Sequence, residues 1–234
     1  MNNIDVNSTK IGVVGGGSWG TTLANLLSRK GFNIDLWVFE AEVIKQIKEL
    51  RENRLFLPGI SLSSNIYPSN DLSRVVSGKD LVLIVVPSHF MRETSHEIDR
   101  YVSKDTIIVS ASKGIENETY LTMSGVLKET LPKIPEKHIA ALSGPSFARE
   151  VASNVPTLVA VASKDKKTAS FVQHVFATPL FRVYTNNDII GVELGGSVKN
   201  VIAIASGMID ALGFCLNTRA ALSTSCPTAI RLLG

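Results

Sequence analysis

Cysteine is scarce. Cys215 and Cys226 are the only two in 234 residues, and they have neither CxxC spacing nor a neighbouring histidine. Neither a metal site nor a disulfide framework is expected, and a reducing compartment fits. Long apolar runs are missing as well. The longest strongly apolar stretch, Leu81 to Val86, falls far short of the ~20 residues a bilayer helix needs, so no membrane association is expected. Charge of one sign is absent, because 24 Lys and Arg stand against 21 Asp and Glu for a net charge of +3. The one basic cluster, Lys164 to Lys167, contains Asp165 and reads as a solvated helix start, so no nucleic-acid partner is expected. The N-terminus, MNNIDVNSTK, lacks the apolar core of a signal peptide, so a cytoplasmic location is expected.

What the chain does have is alternation. Short runs rich in Val, Ile and Leu recur at Ile11–Val14, Ile34–Val38, Leu81–Val86, Thr106–Ser110, Ile139–Ser143, Thr157–Ala162 and Phe181–Tyr184, with helical spacing between them. Val43, Ile44, Ile47 and Leu50 show that spacing and should face the sheet. The pattern predicts an α/β fold, a doubly wound and mostly parallel Rossmann-type sheet with helices on both faces. After Asn186 the texture changes to one long helical pattern, Asp188 to Leu212, rich in Gly and Ala. We therefore expect a first domain over residues 1–187 and the start of an all-helical domain over 188–234.

The segment GGGSWG carries G-x-G-x-x-G at Gly15, Gly17 and Gly20, after a strand and at the opening of a helix. In that context Gly15 permits a tight turn, Gly17 lets backbone approach a pyrophosphate, and Gly20 lets helix pack on strand. Ser18 and Trp19 line the turn. Glu40, twenty positions after Gly20, suits the ribose 2′-hydroxyl of NAD, or is the first solvated residue of the next helix. Phe39 either covers an adenine or packs in the core.

Ser112, Lys113 and Gly114 follow a strand, where ligands of open α/β sheets bind. Lys113 either points into that crevice, to hold an anion or polarise a carbonyl, or is a surface loop lysine. SGPSF, Ser143 to Phe147, also follows a strand. Its groups suit a polyol or a ribose, or Ser146 serves only as a helix cap. In the late helix Lys199 has no charged residue three or four positions away, and Gly195, Gly196, Ala203 and Ser206 are small. Partial desolvation there would let it exchange protons near neutrality, and the alternative is a lysine that snorkels to solvent.

Eight segments, GGGSWG, NRLFLPG (Asn53 to Gly59), VVPSH (Val85 to His89), SKGIE (Ser112 to Glu116), LSGPSFAREV (Leu142 to Val151), FRVY (Phe181 to Tyr184), VELGGSVKNVIAIASG (Val192 to Gly207) and NTRAAL (Asn217 to Leu222), together resemble bacterial NAD(P)-dependent glycerol-3-phosphate dehydrogenase. The resemblance implies a cytoplasmic oxidoreductase that reduces dihydroxyacetone phosphate to sn-glycerol 3-phosphate, a phospholipid precursor, with NAD or NADP as cofactor. It implies Lys199 as the proton donor or acceptor and Lys113 as a contact to substrate and cofactor. Gly144, Ser146 and Asn200 fall at substrate positions, and Ser18, Trp19, Phe39, Phe56 and Ala148 at cofactor positions. The family continues into a larger helical domain with an Asp and a Ser-Arg-Asn run, and runs ITRGLAE where this chain reads STSCPTA from Ser223 to Ala229, with Pro227 interrupting the helix. On this resemblance the chain reads as a C-terminally truncated member that binds dinucleotide and reduces substrate poorly. The alternatives are an inactive cofactor-binding remnant and a related β-hydroxyacid dehydrogenase, and a homo-oligomer is expected.

Overall fold

The fold is built on strands whose side chains alternate between two covered faces. The structure is a computed structural model and describes residues 8–222; the expectations for Ser223 to Ala229, including Cys226 and Pro227, and for the first seven residues, lie outside the described part.

In chain order the elements are β1 (Ile11–Val14), α1 (Ser18–Arg29), β2 (Ile34–Trp37), α2 (Ala41–Leu50), β3 (Ile66–Ser69), α3 (Leu72–Val76), β4 (Leu81–Ile84) and α4 (Met91–Asp99). They continue with β5 (Ile107–Ser110), α5 (Met123–Thr130), β6 (Ile139–Ser143), α6 (Ala148–Ala152), β7 (Thr157–Ser163), α7 (Lys166–Phe176), β8 (Phe181–Asn186) and α8 (Ile189–Ala211). The eight strands form one sheet in the order β3-β2-β1-β4-β5-β6-β7-β8. Ile11, Val13, Leu81 and Leu83 pack beneath α1, α2, α6 and α7, while Val14, Val82 and Ile84 pack beneath α3, α4, α5 and the start of α8. That period of two is what a sheet covered on both faces requires.

Two features differ from the expected pattern, and one strand is the antiparallel member of the expected mostly parallel sheet. β3 was not anticipated, because its sequence IYPS is short and holds Pro68; as an edge strand beside β2 it tolerates a residue without an N–H. β7 runs antiparallel to β6. A parallel crossover needs a helix long enough to return the chain, and α6 has only five residues, about 7.5 Å. Leu50, expected on the sheet-facing stripe of α2, is half exposed because the helix ends there, at a left-handed Arg51.

The late helix forms as its pattern predicts, with Asp188 accepting from the Gly191 N–H at 2.8 Å and Leu212 closing it. By length and composition alone α8 is apolar enough to cross a membrane, with a mean hydropathy of 1.4 over 18 residues. A search for unbroken runs overlooks it because Glu193, Lys199 and Asp210 interrupt the sequence. Its first turns pack on β6 and β7, and Glu193 is buried there. The basic cluster is a helix start as expected, with Asp165 capping α7 at the Thr168 N–H.

Candidate active site

The glycine-rich turn between β1 and α1 is held by backbone. Gly15 sits at φ +125°, where a side chain is strained, and a Cβ on Gly20 would stand 1.9 Å from the Gly15 carbonyl oxygen. Beneath the turn Asn53, fully buried, donates to the Gly16 carbonyl at 2.9 Å and to Thr21 Oγ1 at 2.8 Å; Thr21 also donates to Gly16 at 3.0 Å. Asn53 and Thr21 escape sequence reasoning as site residues. The available signal was a polar residue opening NRLFLPG, without anything to say what it touches.

Above the turn Gly17 is the N-cap of α1; it offers no side-chain cap and faces open space. The first-turn N–H groups of a helix have no intrahelical acceptor and favour an anion. A cavity of about 340 Å³ opens there, lined by Gly17 to Gly20, Val85 to Pro87, Ser112, Lys113, Ser146 and Ala148. Trp19 Nε1 is buried without a hydrogen-bond partner among the described residues, as expected of a site whose ligand completes it. These groups fit a dinucleotide pyrophosphate. Phe39, Glu40 and Phe56 lie outside that lining. Phe39 is 78% exposed with its ring 6.3 Å from Trp37, which overturns the core-packing alternative: it follows the end of β2 and has no layer above it. Glu40 is the N-cap residue of α2 but makes no capping bond with its side chain, and Phe56 is half buried against the core.

Lys113 is not a surface lysine. Its ammonium donates to the Gly144 carbonyl at 3.0 Å and to Ser146 Oγ at 3.4 Å, and lies 5.9 Å from the Trp19 ring centroid. Burial, with a smaller contribution from the charge of Lys199, lowers its pKa to about 8. Ser146 does not cap α6, which starts one residue later with Phe147 as N-cap; its hydroxyl is buried and turned toward Lys113 and the Gly144 carbonyl.

On the other side of the Gly144 to Ser146 turn is a second cavity, about 300 Å³, lined by Ser143, Gly144, Pro145, Leu158 to Ala160, the first turns of α8 and Lys199. Lys199 is half buried, with its ammonium 5.0 Å from the Phe147 ring centroid, and Asn200 is exposed. Of the small residues expected to let another element approach, only Gly196 is buried: a Cβ there would stand 2.2 Å from Ser143 Oγ. Ala203 is exposed, because α8 has already left the sheet. A third cavity, about 330 Å³ beneath α1 and α6, is lined by Arg29 and Lys30, and Arg29 donates to the Ser61 carbonyl. Its Lys30 donates to the carbonyls of His174, Val175 and Ala177 at the end of α7.

Two family models match the chain, the NAD-dependent glycerol-3-phosphate dehydrogenase N-terminus over residues 10–169 and its C-terminus over residues 188–234. A glycerol-3-phosphate dehydrogenase [NAD(P)+] of Syntrophobacter fumaroxidans is 52% identical over 224 residues, 96% of this chain and 66% of the relative. That of Syntrophotalea carbinolica is 50% identical over 92% of this chain and 64% of the relative. The chain thus spans just under two thirds of the length of these relatives. The crystal structure of glycerol-3-phosphate dehydrogenase from Coxiella burnetii superposes with a TM-score of 0.82 at 36% identity, covering 92% of this chain and 65% of that one.

Proposed function

Because the chain belongs to the NAD-dependent glycerol-3-phosphate dehydrogenase family, we propose that it interconverts dihydroxyacetone phosphate and sn-glycerol 3-phosphate with NADH or NADPH, in the cytoplasm, as a supply of phospholipid backbone. The observation that carries the reading is the convergence of the open α1 N-terminus, Lys113 and Ser146 on one cavity, with Lys113 also bonded to the Gly144 carbonyl. Two further lysine features support it: the charge of Lys199 is felt at Lys113, and Lys113 stays mostly cationic at neutral pH.

When bound, the nicotinamide supplies the hydride. The work of this chain is to bind, orient and exchange a proton. The first turn of α1, from Gly17 through Gly20, binds the pyrophosphate, with Ser18 and Trp19 along its edge and Ala148 opposite. Phe39 would cover the adenine, Phe56 falls at a cofactor position, and Glu40 would accept from the ribose 2′-hydroxyl, which would favour NAD over NADP by repelling a 2′-phosphate. Lys113 holds negative charge that develops on the substrate oxygen, and Lys199 gives or takes the proton at that oxygen. Gly144, Ser146 and Asn200 contact substrate. Residues 1–187 form the dinucleotide-binding domain in this reading, and 188–234 open the helical substrate domain. Steady-state turnover of dihydroxyacetone phosphate, measured beside NADH titration by fluorescence, tests the proposal. Turnover supports it, and NADH binding without turnover reduces the chain to a cofactor-binding module.

A further inference from the structure

Glu193 is a buried carboxylate that the proposed reaction does not use. It sits in the second turn of α8, only 6% exposed, and no ion pair reaches it among the described residues. Burial pushes its pKa up against the hydrogen bonds it accepts from Ser124 and Thr122. Leaving a carboxylate in such a place is expensive unless strong donors hold it. The donors here belong to another element: the Ser124 N–H at 2.7 Å and the Ser124 hydroxyl at 2.5 Å, at the first turn of α5.

α5 has no cap of its own, since Thr122 at its N-cap makes no capping bond with its side chain. Glu193 serves in its place across 69 residues, with its carboxyl oxygens set at the positive end of the helix. The segment entering that helix, residues 111–122, carries Lys113. It is a tight loop with Gly114, Glu118 and Tyr120 all at positive φ, closed by an Ile115–Thr122 bridge and pinned on its outer side by Arg92 bonded to Glu116 at 2.7 Å. On its inner side the anchor is Glu193. Six residues further along α8, about 9 Å up the helix axis, stands Lys199.

We propose that Glu193 is a positioning residue: by capping α5 from α8 it fixes the helix that carries Lys199 against the loop that carries Lys113. The inference rests on the reading in which both lysines serve one active site. It assigns Glu193 no contact with substrate or cofactor; it acts through Ser124. A second fixed point, the close approach of Gly196 to Ser143, sets the distance of α8 from β6, while the Glu193 contact sets its position relative to the loop.

The test reads Lys113 directly, by residue-resolved acetylation of the whole chain across pH with mass-spectrometric detection, and reads turnover in parallel. Lys113 titrates near 8 because it is buried and close to Lys199. In Glu193→Ala the loop and α8 separate, so the Lys113 midpoint should climb toward 10.5. Glu193→Gln, which keeps an acceptor for the Ser124 N–H, should restore most of the parent value. If Glu193→Ala does not fold, Ser124→Ala, which removes the hydroxyl bond and keeps the N–H bond, should raise the midpoint by a smaller step. Where the parent turns over, Glu193→Ala should lower kcat on the order of tenfold or more with the KM for NADH unchanged, as a displaced reacting group requires. A Lys113 midpoint equal to the parent's in every folded variant overturns the inference. A parent without turnover defeats the proposed reaction and leaves the titration to decide on Glu193.

Discussion

At Lys113 burial, and to a smaller extent the charge of Lys199, lowers the pKa of an ammonium that donates to Gly144 and Ser146 from 10.5 to about 8. The sign matters for function. Below that value the ammonium is present to hold an anionic oxygen, and above it the charge is lost. We expect kcat/KM, which reports groups of the free enzyme, to fall as pH rises through about 8. Lys113→Arg, charged throughout, should flatten that limb while lowering the maximum, and an unchanged limb would assign the titration elsewhere. Lys199→Met, close in volume, should reduce turnover by on the order of 10²–10⁴ with NADH affinity preserved, because a missing proton donor affects the step and not the dinucleotide. Turnover within tenfold of the parent would remove Lys199 from that role. Glu40→Ser should shift the measured NADPH to NADH affinity ratio toward NADPH, and an unaltered ratio would leave Glu40 as a solvated residue at the start of α2. The sequence singles out both lysines by their setting: one lies just beyond a strand end, and the other stands among small apolar residues with no charge three or four positions away. Asn53 and the bond from Ser124 to Glu193 were not legible, since both depend on pairings 32 and 69 residues apart that no local pattern encodes.

Among the elements, those with a strong period and a cap were readable to within a residue, as α8 shows between Asp188 and Leu212. The strand that was missed is short: β3 has four residues and a proline, too little period to declare itself. The one antiparallel entry in the mostly parallel sheet, β7, follows from the five residues of α6. The β1-turn-α1 unit was readable for a different reason: its glycines are demanded by backbone contact. A Cβ on Gly20 must displace the Gly15 carbonyl, so Gly20→Ala should lower the thermal midpoint, at a cost of about 1–3 kcal/mol, and weaken NADH binding with it. A variant that melts with the parent and binds NADH as tightly would contradict the close approach. Asp188→Ala removes the capping bond of α8 and should cost about 1 kcal/mol in chemical denaturation.

For the whole molecule the unresolved balance lies in α8. Its first turns are tied to the sheet through Ile189, Glu193 and Gly196, the buried residues of the helix. Beyond Lys199 it projects Val201, Ile204, Met208 and Leu212, each at least 60% exposed, at spacings of three and four that form one stripe. Phe214 and Leu216 extend the apolar surface past the helix end. Contiguous patches of that kind are uncommon on soluble monomers, and the charges that would discourage contact, Lys199 and Asp210, stand at its two ends. A second copy of the chain offers the same stripe, and two such helices can bury theirs against each other. We therefore expect the 234-residue chain to associate, with a light-scattering mass above 25.2 kDa that rises with concentration. Replacing Ile204 and Met208 together by lysine should return it to a single mass without altering NADH affinity, since neither residue lies near the α1 cavity. A parent chain that remains at 25.2 kDa at high concentration would show that the stripe is covered within one molecule.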